Sequence, residues 1–300
     1  MNAGETTRCG LVAIVGRPNV GKSTLMNHLV GQKISITSRK PQTTRHRIHG
    51  VLTRDNAQIV FADTPGVHPG GGRALNRLMN QTALSSLGGV DVVCFMVDGT
   101  RWTDTDAWLL ERLPRDGTPV LLLINKVDEL DDKDALLPHM DRLSQMFAFD
   151  EVIPLSALRG HNLEALERAL IARLPESPFW FEEDQLTDRS LRFMVAEIIR
   201  EKAVRQLGQE LPHQITVEVD LWNEPERITE IAATVFVERQ GQKKILVGSG
   251  GERIKRIGTQ ARHDIERLLE RKVMLNLWVK VRAGWSDDER ALRSLGYDDG

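Results

Sequence analysis

Short runs of consecutive apolar residues recur through the first half of the chain, separated by stretches long enough for helices. The runs span residues 11–15, 59–62, 92–97, 120–124 and 152–155. Apolar runs without alternation are typical of strands that are buried on both faces of a sheet. Because these strands alternate with helix-length segments, the pattern predicts an α/β domain with a doubly wound, mostly parallel sheet.

The hydrophobic pattern changes after residue 190. One apolar helical face comes first, formed by Leu191, Val195, Ile198 and Ile199. Three segments with strand-like alternation of apolar and polar residues follow, at 215–221, 231–237 and 273–281. A glycine-rich turn and a helical segment lie between the second and third of these segments. The element order α-β-β-α-α-β predicts a second, smaller α+β domain.

The segment 174–188 separates the two patterns and has no clear periodicity. It contains Pro175, Pro178 and several acidic residues, a composition typical of a connection between domains. We therefore predict a first domain over 1–175, a linker over 176–189 and a second domain over 190–300. A chain of 300 residues is long enough for two domains with separate cores.

Composition narrows the class of protein. With 41% hydrophobic residues, 27% charged residues and a net charge of −2, the chain is typical of globular proteins, and its net charge says little about partners. Residues 1–10 are polar and no run of about 18 apolar residues occurs, so the sequence predicts neither export nor a membrane span. Cys94 lies inside an apolar run, which favours a buried, reduced thiol and a cytoplasmic location.

Polar motifs follow the apolar runs of the first half. After the run 11–15, the spacing Gly-x-x-x-x-Gly-Lys-Ser indicates a loop whose backbone N–H groups surround phosphates. In such a loop Lys22 reaches the β and γ oxygens and Ser23 binds Mg²⁺. Asp63, after the run 59–62, has the position and charge to hold the same Mg²⁺ through water. Because parallel strands share one carboxyl edge, we expect these loops to converge.

The motif Asn125-Lys126-Val127-Asp128 predicts which base is bound. The Asp128 carboxylate can accept two N–H bonds from guanine, whereas adenine would leave it unpaired. GTP is therefore favoured, and a P-loop ATPase or nucleotide kinase is not. The residues Ser156 and Ala157 are expected to offer a backbone N–H to the base. The predicted nucleotide-binding residues are Gly16, Asn19, Val20, Gly21, Lys22, Ser23, Thr24, Asp63, Thr64, Pro65, Gly66, Asn125, Lys126, Asp128, Ser156 and Ala157.

The segment 36–49 is too rich in charge to pack as core and predicts a mobile loop. A threonine hydroxyl there would close over Mg²⁺ and the γ-phosphate in the GTP state, and Thr44 is favoured over Thr43. An ordinary solvated loop is equally compatible with the basic residues. The predicted switch residues are Gln42, Thr43, Thr44, Arg45 and His46, and the predicted Mg²⁺ ligands are Ser23, Thr44 and Asp63.

The motif Asp63-Thr64-Pro65-Gly66 is followed by Val67, where many GTPases have a glutamine that orients water. Valine cannot orient water, so the catalytic group stays unknown, and phosphate stabilisation is assigned to Lys22 and Gly66. Hydrolysis then depends on Mg²⁺ and on a bound cation or a partner, since the positive charge of an arginine finger is worth on the order of 10³–10⁵ in rate. We expect slow intrinsic turnover.

In the second half, basic residues flank the turn Gly248-Ser249-Gly250-Gly251. The element order around this turn is that of a type II KH domain, whose Gly-x-x-Gly turn clamps about four single-stranded nucleotides. Residues Ser249 and Gly250 stand where KH turns often carry lysine or arginine, so flanking charges must contribute more. Trp278 and Trp285 are candidates for stacking on bases, although Trp278 lies in a strand where packing is the commoner role. The predicted RNA-binding residues are Lys243, Lys244, Gly248, Ser249, Gly250, Gly251, Arg253, Lys255 and Arg256.

Taken together, these motifs resemble the Era-like family of bacterial GTPases over nearly the whole chain. The matching segments are 16–24, 42–47, 63–66, 125–128, 284–285 and 288–293. The resemblance implies a protein that binds 16S ribosomal RNA near its 3′ end, assists assembly of the 30S subunit and is controlled by GTP and GDP. It also implies an apolar residue in place of the usual glutamine, and K⁺ held with the help of Asn19.

The resemblance further implies a peripheral contact at the inner face of the cell membrane, and we expect the protein to be a cytoplasmic monomer. One alternative is a GTP-switched module that binds proteins or membrane surfaces and whose KH-like domain binds no RNA. Two observations oppose it: the chain has a single GTPase domain, and it keeps a basic 248–251 turn that such a module would not need.

Overall fold

The computed structural model describes residues 6–37, 45, 48–66, 74–99, 101–130, 134–206 and 215–294. Its contacts divide the chain into two units, the first ending at Asp188 and the second beginning at Arg189. Among the earlier described residues, Ile36, Thr37, Ala74 and Leu75 also group with the second unit. Within the described ranges, each helix is too short or too polar to span a bilayer.

Up to Asp188 the chain alternates strands and helices, as its apolar runs predict. The elements are β1 (Arg8–Val15), α1 (Lys22–Val30), β2 (Ile48–Arg54), β3 (Ala57–Asp63), α2 (Ala74–Ser85), β4 (Val92–Asp98), α3 (Asp104–Leu110), β5 (Val120–Asn125), α4 (Leu136–Ser144), β6 (Glu151–Pro154) and α5 (Leu163–Ile171). The six strands form one sheet in the order β2-β3-β1-β4-β5-β6. Strand β2 pairs antiparallel with β3, and the other neighbours pair in parallel, which confirms the predicted fold class.

The apolar pattern does not predict strand β2. The residues Ile48 and His49 belong to β2 and pair with the end of β3, although the sequence predicts a loop over 36–49. Polar His49, Thr53 and Arg54 within this strand, and the charged segment before it, hide its short apolar centre. Ile36 and Arg45 are also buried, so these two described residues are not part of a solvated loop.

The centre of the first sheet is buried on both faces. Every residue of β4 and β5 is buried, and their side chains join one apolar core through Phe95, Val97 and Leu122. The ring of Phe95 lies 6.4 Å from that of Phe149, in a stacked arrangement. Cys94 lies in the same strand as a free thiol whose pKa is raised to about 12 by burial. The predicted buried, reduced thiol is therefore confirmed.

The segment after α5 packs along the first sheet. Cys9 donates its N–H to the carbonyl of Pro175. The side chain of Gln58, fully buried in β3, accepts the N–H groups of Trp180 and Phe181 at 2.9 and 3.0 Å. It also donates to the carbonyl of Phe181 at 2.9 Å. One buried amide thus fixes the middle of the predicted linker 176–189.

The end of this segment is bonded to strand β2. Val51 donates its N–H to the carbonyl of Leu186 at 2.9 Å. His49 donates its N–H to Asp188 at 3.1 Å, and its ring Nδ1 lies 3.1 Å from the other carboxylate oxygen of Asp188. The segment from Pro175 to Asp188 therefore belongs to the first unit up to its last residue.

Over its described residues, 189–206 and 215–294, the second unit has the predicted order α-β-β-α-α-β, followed by a further helix. Its elements are α6 (Leu191–Gln206), β7 (Ile215–Asn223), β8 (Thr229–Val237), α7 (Gln240–Val247), α8 (Glu252–Leu269), β9 (Val273–Val281) and α9 (Glu289–Ser294). Strand β8 lies in the centre of the sheet, antiparallel to β7 and parallel to β9. Helices α6 and α8 cover this sheet with an apolar core that includes Val195, Ile199 and Ile265.

Helix α6 buries charge as well as apolar side chains. Glu197 and Arg200 form two hydrogen bonds of 2.6 Å with side chains that are 8% and 1% exposed. Lys202 pairs with Asp264 of α8. By contrast, Leu191 is half-exposed although it belongs to the predicted apolar face. Beyond this first residue, the buried charged side chains show that the helix is more deeply buried than a simple two-faced pattern predicts.

Candidate functional site

The predicted nucleotide motifs follow strands β1, β3, β5 and β6, whose carboxyl ends lie at one edge of the sheet. The side chain of Asn125 joins three of the four loops there. Its amide donates to the carbonyl of Val20 at 2.6 Å, and its oxygen accepts the N–H of Ala157 at 2.8 Å. This side chain is buried, so the two bonds are shielded from water.

Two glycines are sterically required in the loop after β1. A Cβ at Gly16 would lie 2.4 Å from the carbonyl oxygen of Met96, and a Cβ at Gly21 would lie 2.2 Å from Nδ2 of Asn125. Gly21 also has a φ of 112° and forms the N-cap of α1. Because glycine has no side chain, the helix N-terminus and its positive dipole end can be approached closely by an anion.

Lys22 is fixed inside this loop. Its ammonium donates to the carbonyls of Gly16 and Arg17 at 2.9 and 3.1 Å, and the residue is only 6% exposed. Burial lowers the pKa of Lys22 to about 8, an effect opposed by Asp63 and Asp106 and reinforced by Arg17. A buried cation placed in this way is suited to bind phosphate oxygens.

The loop after β3 lies against the loop after β1. A Cβ at Gly66 would lie 2.8 Å from Cα of Pro18, so the two backbones are in close contact. Thr64 donates its hydroxyl to the carbonyl of Ile14 at 2.9 Å. These contacts place Gly66, whose N–H is predicted to contact the γ-phosphate, next to the phosphate loop.

The predicted metal ligands present oxygen donors. Asp63 is fully buried and accepts the hydroxyl of Ser35 at 2.7 Å. Ser23 lies in the first turn of α1. A carboxylate and a hydroxyl are hard donors of the kind that Mg²⁺ prefers, so these residues fit that ion. Ser35 is a polar neighbour of Asp63 that no sequence motif identifies.

The base-selecting loop is held by its neighbours. Val127 donates its N–H to the carbonyl of Leu155, which precedes Ser156 and Ala157. The carbonyl of Ala157 accepts from the ring Nδ1 of His28 at 3.0 Å. The side chain of Asp128 is 15% exposed and its carboxylate lies 3.8 Å from Nε of Arg159. The loops after β5 and β6 therefore form one connected wall.

Two carboxylates outside the predicted motifs lie beside the phosphate loop. Asp98 Oδ2 lies 3.1 Å from Nη2 of Arg17 and 2.9 Å from Nζ of Lys126. Asp106 Oδ2 lies 3.2 Å from Nε of Arg17. Asp98 directly follows the apolar run 92–97 and belongs to no predicted motif. Its position at the carboxyl end of a strand is nevertheless one where ligand-binding residues are expected.

Several predicted residues lie outside the described part of the chain: Gln42, Thr43, Thr44, His46 and Val67. The predicted switch, the Thr44 contact with Mg²⁺ and the consequence of the missing glutamine therefore stay predictions. Arg45 is described and is buried.

In the second unit, the predicted RNA-binding turn has an unusual backbone. The φ angles of Gly248, Gly250 and Gly251 are 78°, 56° and 84°, all in the left-handed region. A Cβ at Gly248 would lie 2.8 Å from Cβ of Arg253, whereas a Cβ at Gly250 or Gly251 would meet no atom within 4 Å. Open space over the turn allows a ligand backbone to come close.

The basic residues around this turn differ in their exposure to solvent. Lys244, Lys255 and Arg256 are exposed, while Lys243 and Arg253 are partly buried. Arg253 donates its guanidinium to the carbonyl of Ile245, so it joins the end of α7 to the start of α8. The three exposed residues are the freest of the predicted cations to meet phosphate.

The two tryptophans differ from their expected roles. Trp285 is 1% exposed, so it cannot stack on a base without leaving the core. Trp278 is 50% exposed although the alternating pattern favours packing. The reason is that only one face of β9 is covered by helices, and Trp278 lies on the other face with Met274.

Comparison with protein families gives two matches. Residues 11–126 match a family of GTPases described as 50S ribosome-binding GTPase, and residues 210–286 match the KH domain family. The two matches cover the predicted phosphate loop and the Gly248 turn, respectively.

The chain is similar to curated proteins and solved structures over its whole length. It is 58% identical to the GTPase Era of Pseudomonas syringae pv. tomato, covering 100% of both chains, and 59% identical to that of Pseudomonas aeruginosa, covering 98% and 96%. A crystal structure of an Aquifex aeolicus Era variant bound to GDP and AlF4⁻ has a TM-score of 0.93, with 38% identity and 97% and 99% coverage.

A second crystal structure, of Era with MgGDPNP and nucleotides 1506–1542 of 16S ribosomal RNA, has a TM-score of 0.94, with 39% identity and the same coverage. Each match covers 97% of this chain and therefore spans both of its units. With this identity along its full length, the chain belongs to the Era family of GTPases.

Proposed function

We propose that this GTPase binds small-subunit ribosomal RNA near its 3′ end and assists assembly of the 30S subunit, with the bound guanine nucleotide controlling RNA binding. The observation that carries the proposal is the turn Gly248–Gly251, with three left-handed glycines and exposed flanking cations. Support also comes from the Era structure in complex with a 16S ribosomal RNA segment, which is 39% identical to this chain.

The chemistry of the turn suits single-stranded RNA. Two open glycines allow the sugar-phosphate backbone to approach, and the N-terminus of α8 attracts phosphate. Lys244, Lys255 and Arg256 add positive charge on the surface around the turn. Binding of this kind depends strongly on salt, because each phosphate contact releases counterions.

The nucleotide site supports hydrolysis of GTP to GDP and phosphate. In the proposal, Lys22 and the N–H groups at the start of α1 hold the β and γ phosphates, and Asp128 binds the guanine edge. Ser23, Asp63 and, in the GTP state, Thr44 would hold Mg²⁺, which would supply positive charge to neutralise the phosphates. Asn19, with a φ of 63° in the same loop, is the proposed contact for K⁺.

The proposal also includes the cellular location and the oligomeric state of the protein. A cytoplasmic monomer with a peripheral contact at the inner membrane face is what the family resemblance implies.

A binding measurement on the full-length protein tests the RNA assignment. Fluorescence anisotropy with a labelled oligonucleotide of the 16S ribosomal RNA 3′ end is measured in the presence of GDPNP and of GDP. Gly250→Asp is the informative variant, because its Cβ meets open space and aspartate tolerates left-handed backbone. Gly241→Asp is the matched control, since Gly241 also faces open space and lies outside the turn.

We expect Gly250→Asp to weaken RNA binding by about tenfold or more, because the new carboxylate repels a phosphate. Gly241→Asp should stay within about twofold of the parent. Equal binding by all three proteins would refute clamping at the turn, and no binding by the parent would favour a module that binds proteins or membrane surfaces. The assembly role is tested by depleting the protein in cells and measuring free 30S subunits on a sucrose gradient.

A further inference from the structure

Arg17 lies inside the phosphate loop, but carboxylates hold its guanidinium. Its Nη2 lies 3.1 Å from Asp98 and its Nε lies 3.2 Å from Asp106, with 18% of the arginine side chain exposed. Both Asp98 and Asp106 are buried. Two anions thus pair with one cation, so Arg17 is restrained within the loop rather than extended into solvent.

The same oxygen of Asp98 also pairs with the base-selecting motif. Oδ2 of Asp98 lies 2.9 Å from Nζ of Lys126, while it is 3.1 Å from Arg17. The side chains of Asp98 and Lys126 are 11% and 27% exposed. A single carboxylate therefore connects the loop after β1 to the loop after β5.

Secondary structure positions both aspartates. Strand pairing sets Asp98 opposite Asn125, and Gly99 donates its N–H to the carbonyl of Asn125 at 2.6 Å. Asp106 accepts the N–H and the hydroxyl of Thr103 at 2.9 and 2.7 Å, which caps the start of α3. The Asp106 carboxylate cannot move without breaking the cap of α3, and strand pairing fixes the backbone that carries the Asp98 side chain.

We propose that Asp98 is a positioning residue for guanine-nucleotide binding, and that it holds Arg17 of the phosphate loop and Lys126 of the base loop in fixed register. Asp106 is the second anchor of Arg17. Asp98 is not a catalytic residue, because it acts through its two cationic partners. The inference rests on the proposed roles of these two loops in nucleotide binding.

Replacement of the charge should produce a defined effect. In Asp98→Asn the two cations lose their shared anion and repel each other across a partly buried space. Both loops contact the nucleotide in the proposed site, so the affinity for GDP and GTP should fall together. The rate at saturating GTP should change little, because no group that meets the reacting phosphate is removed.

The test uses full-length protein and a fluorescent GDP analogue. We expect Asp98→Asn to raise Kd by about tenfold or more, mainly through faster dissociation, with kcat within about threefold of the parent. Asp98→Glu should recover part of the affinity. Asp91→Asn is the matched control, because Asp91 flanks the start of β4 and accepts the N–H of Leu11 at 2.7 Å, far from the loops. It should leave Kd unchanged.

A double-mutant cycle separates positioning from general destabilisation. Arg17→Met and Lys126→Met should be non-additive for Kd in the parent and additive when Asp98→Asn is also present. A merely structural role would lower the melting temperature and leave the additivity unchanged. Persistent non-additivity without Asp98, or a parent-like Kd in Asp98→Asn, would overturn the inference. If Lys126→Met also binds like the parent, the assignment of the nucleotide site itself fails.

Discussion

Replacement of Gly21 by alanine tests whether a single buried amide joins the nucleotide loops. The added Cβ would lie 2.2 Å from Nδ2 of Asn125 and must displace it. Gly31→Ala is the matched control, because Gly31 flanks the other end of the same helix with a φ of 80° and open space around it. Both substitutions place alanine in left-handed backbone, at a cost of about 1–2 kcal/mol.

Only the substitution at Gly21 also breaks hydrogen bonds. Displacement of Asn125 leaves the carbonyl of Val20 and the N–H of Ala157 without their partner at 2.6 and 2.8 Å. A buried group without a partner costs about 1–3 kcal/mol, so the two bonds add about 2–6 kcal/mol. If about 3 kcal/mol of this cost appears in binding, GDP affinity falls by about 100-fold.

The assay combines urea unfolding of the nucleotide-free protein with titration of a fluorescent GDP analogue. Gly31→Ala should lower the free energy of unfolding slightly and leave Kd close to that of the parent. Gly21→Ala should lower the free energy of unfolding further and weaken binding severely. Similar values for the two variants in both assays would refute the argument that Asn125 fastens the loops together.

Three further predictions concern charged groups. Burial lowers the pKa of Lys22 from 10.5 to about 8, so GDP affinity should fall as the pH rises through 8, where the amine loses its proton. In Lys22→Arg the GDP affinity should not change over this pH range, because the guanidinium stays charged. A GDP affinity of the parent that does not change with pH would contradict the prediction. Asp128→Asn should weaken GTP binding and favour xanthine nucleotides in a competition assay, whereas an unchanged preference would be inconsistent with the base contact. Glu197→Gln should cost about 3 kcal/mol in urea unfolding because Arg200 stays charged and buried, while Glu164→Gln, at an exposed pair, should leave the midpoint unchanged.

The fold class follows from sequence because burial on both faces produces a local pattern. The run 92–97 coincides with β4 and the alternation from Ile231 coincides with β8. Strand β2 escapes prediction because its pairing with β3 depends on contacts between segments, while Arg54 and Thr53 make its own composition ambiguous. The burial of Lys202 on α6 escapes it for a related reason, since its partner Asp264 on α8 lies far along the chain.

For the candidate site as well, local sequence patterns predict some features, whereas contacts between distant residues are not predictable from the sequence. Motif spacing predicts which loops converge, because the topology of parallel strands brings their ends to one edge. Motif spacing does not predict the role of Asp98, because a single aspartate after a strand has no distinctive spacing. Its role becomes visible only in the structure, where it contacts Arg17 and Lys126. Nor does motif spacing predict that Trp285 is buried, because no alternating or helical pattern surrounds this residue in the sequence.

The attachment of residues 175–188 to the first sheet has a consequence for aggregation. Strand β2 is an outer strand of its sheet, and unpaired outer strands are templates for joining a second molecule. Val51 and His49 donate their N–H groups to Leu186 and Asp188. These two N–H groups of the outer strand are therefore not free to pair with a strand of a second molecule. A fragment cut after Pro175 would lose that protection, whereas one cut after Asp188 would keep it.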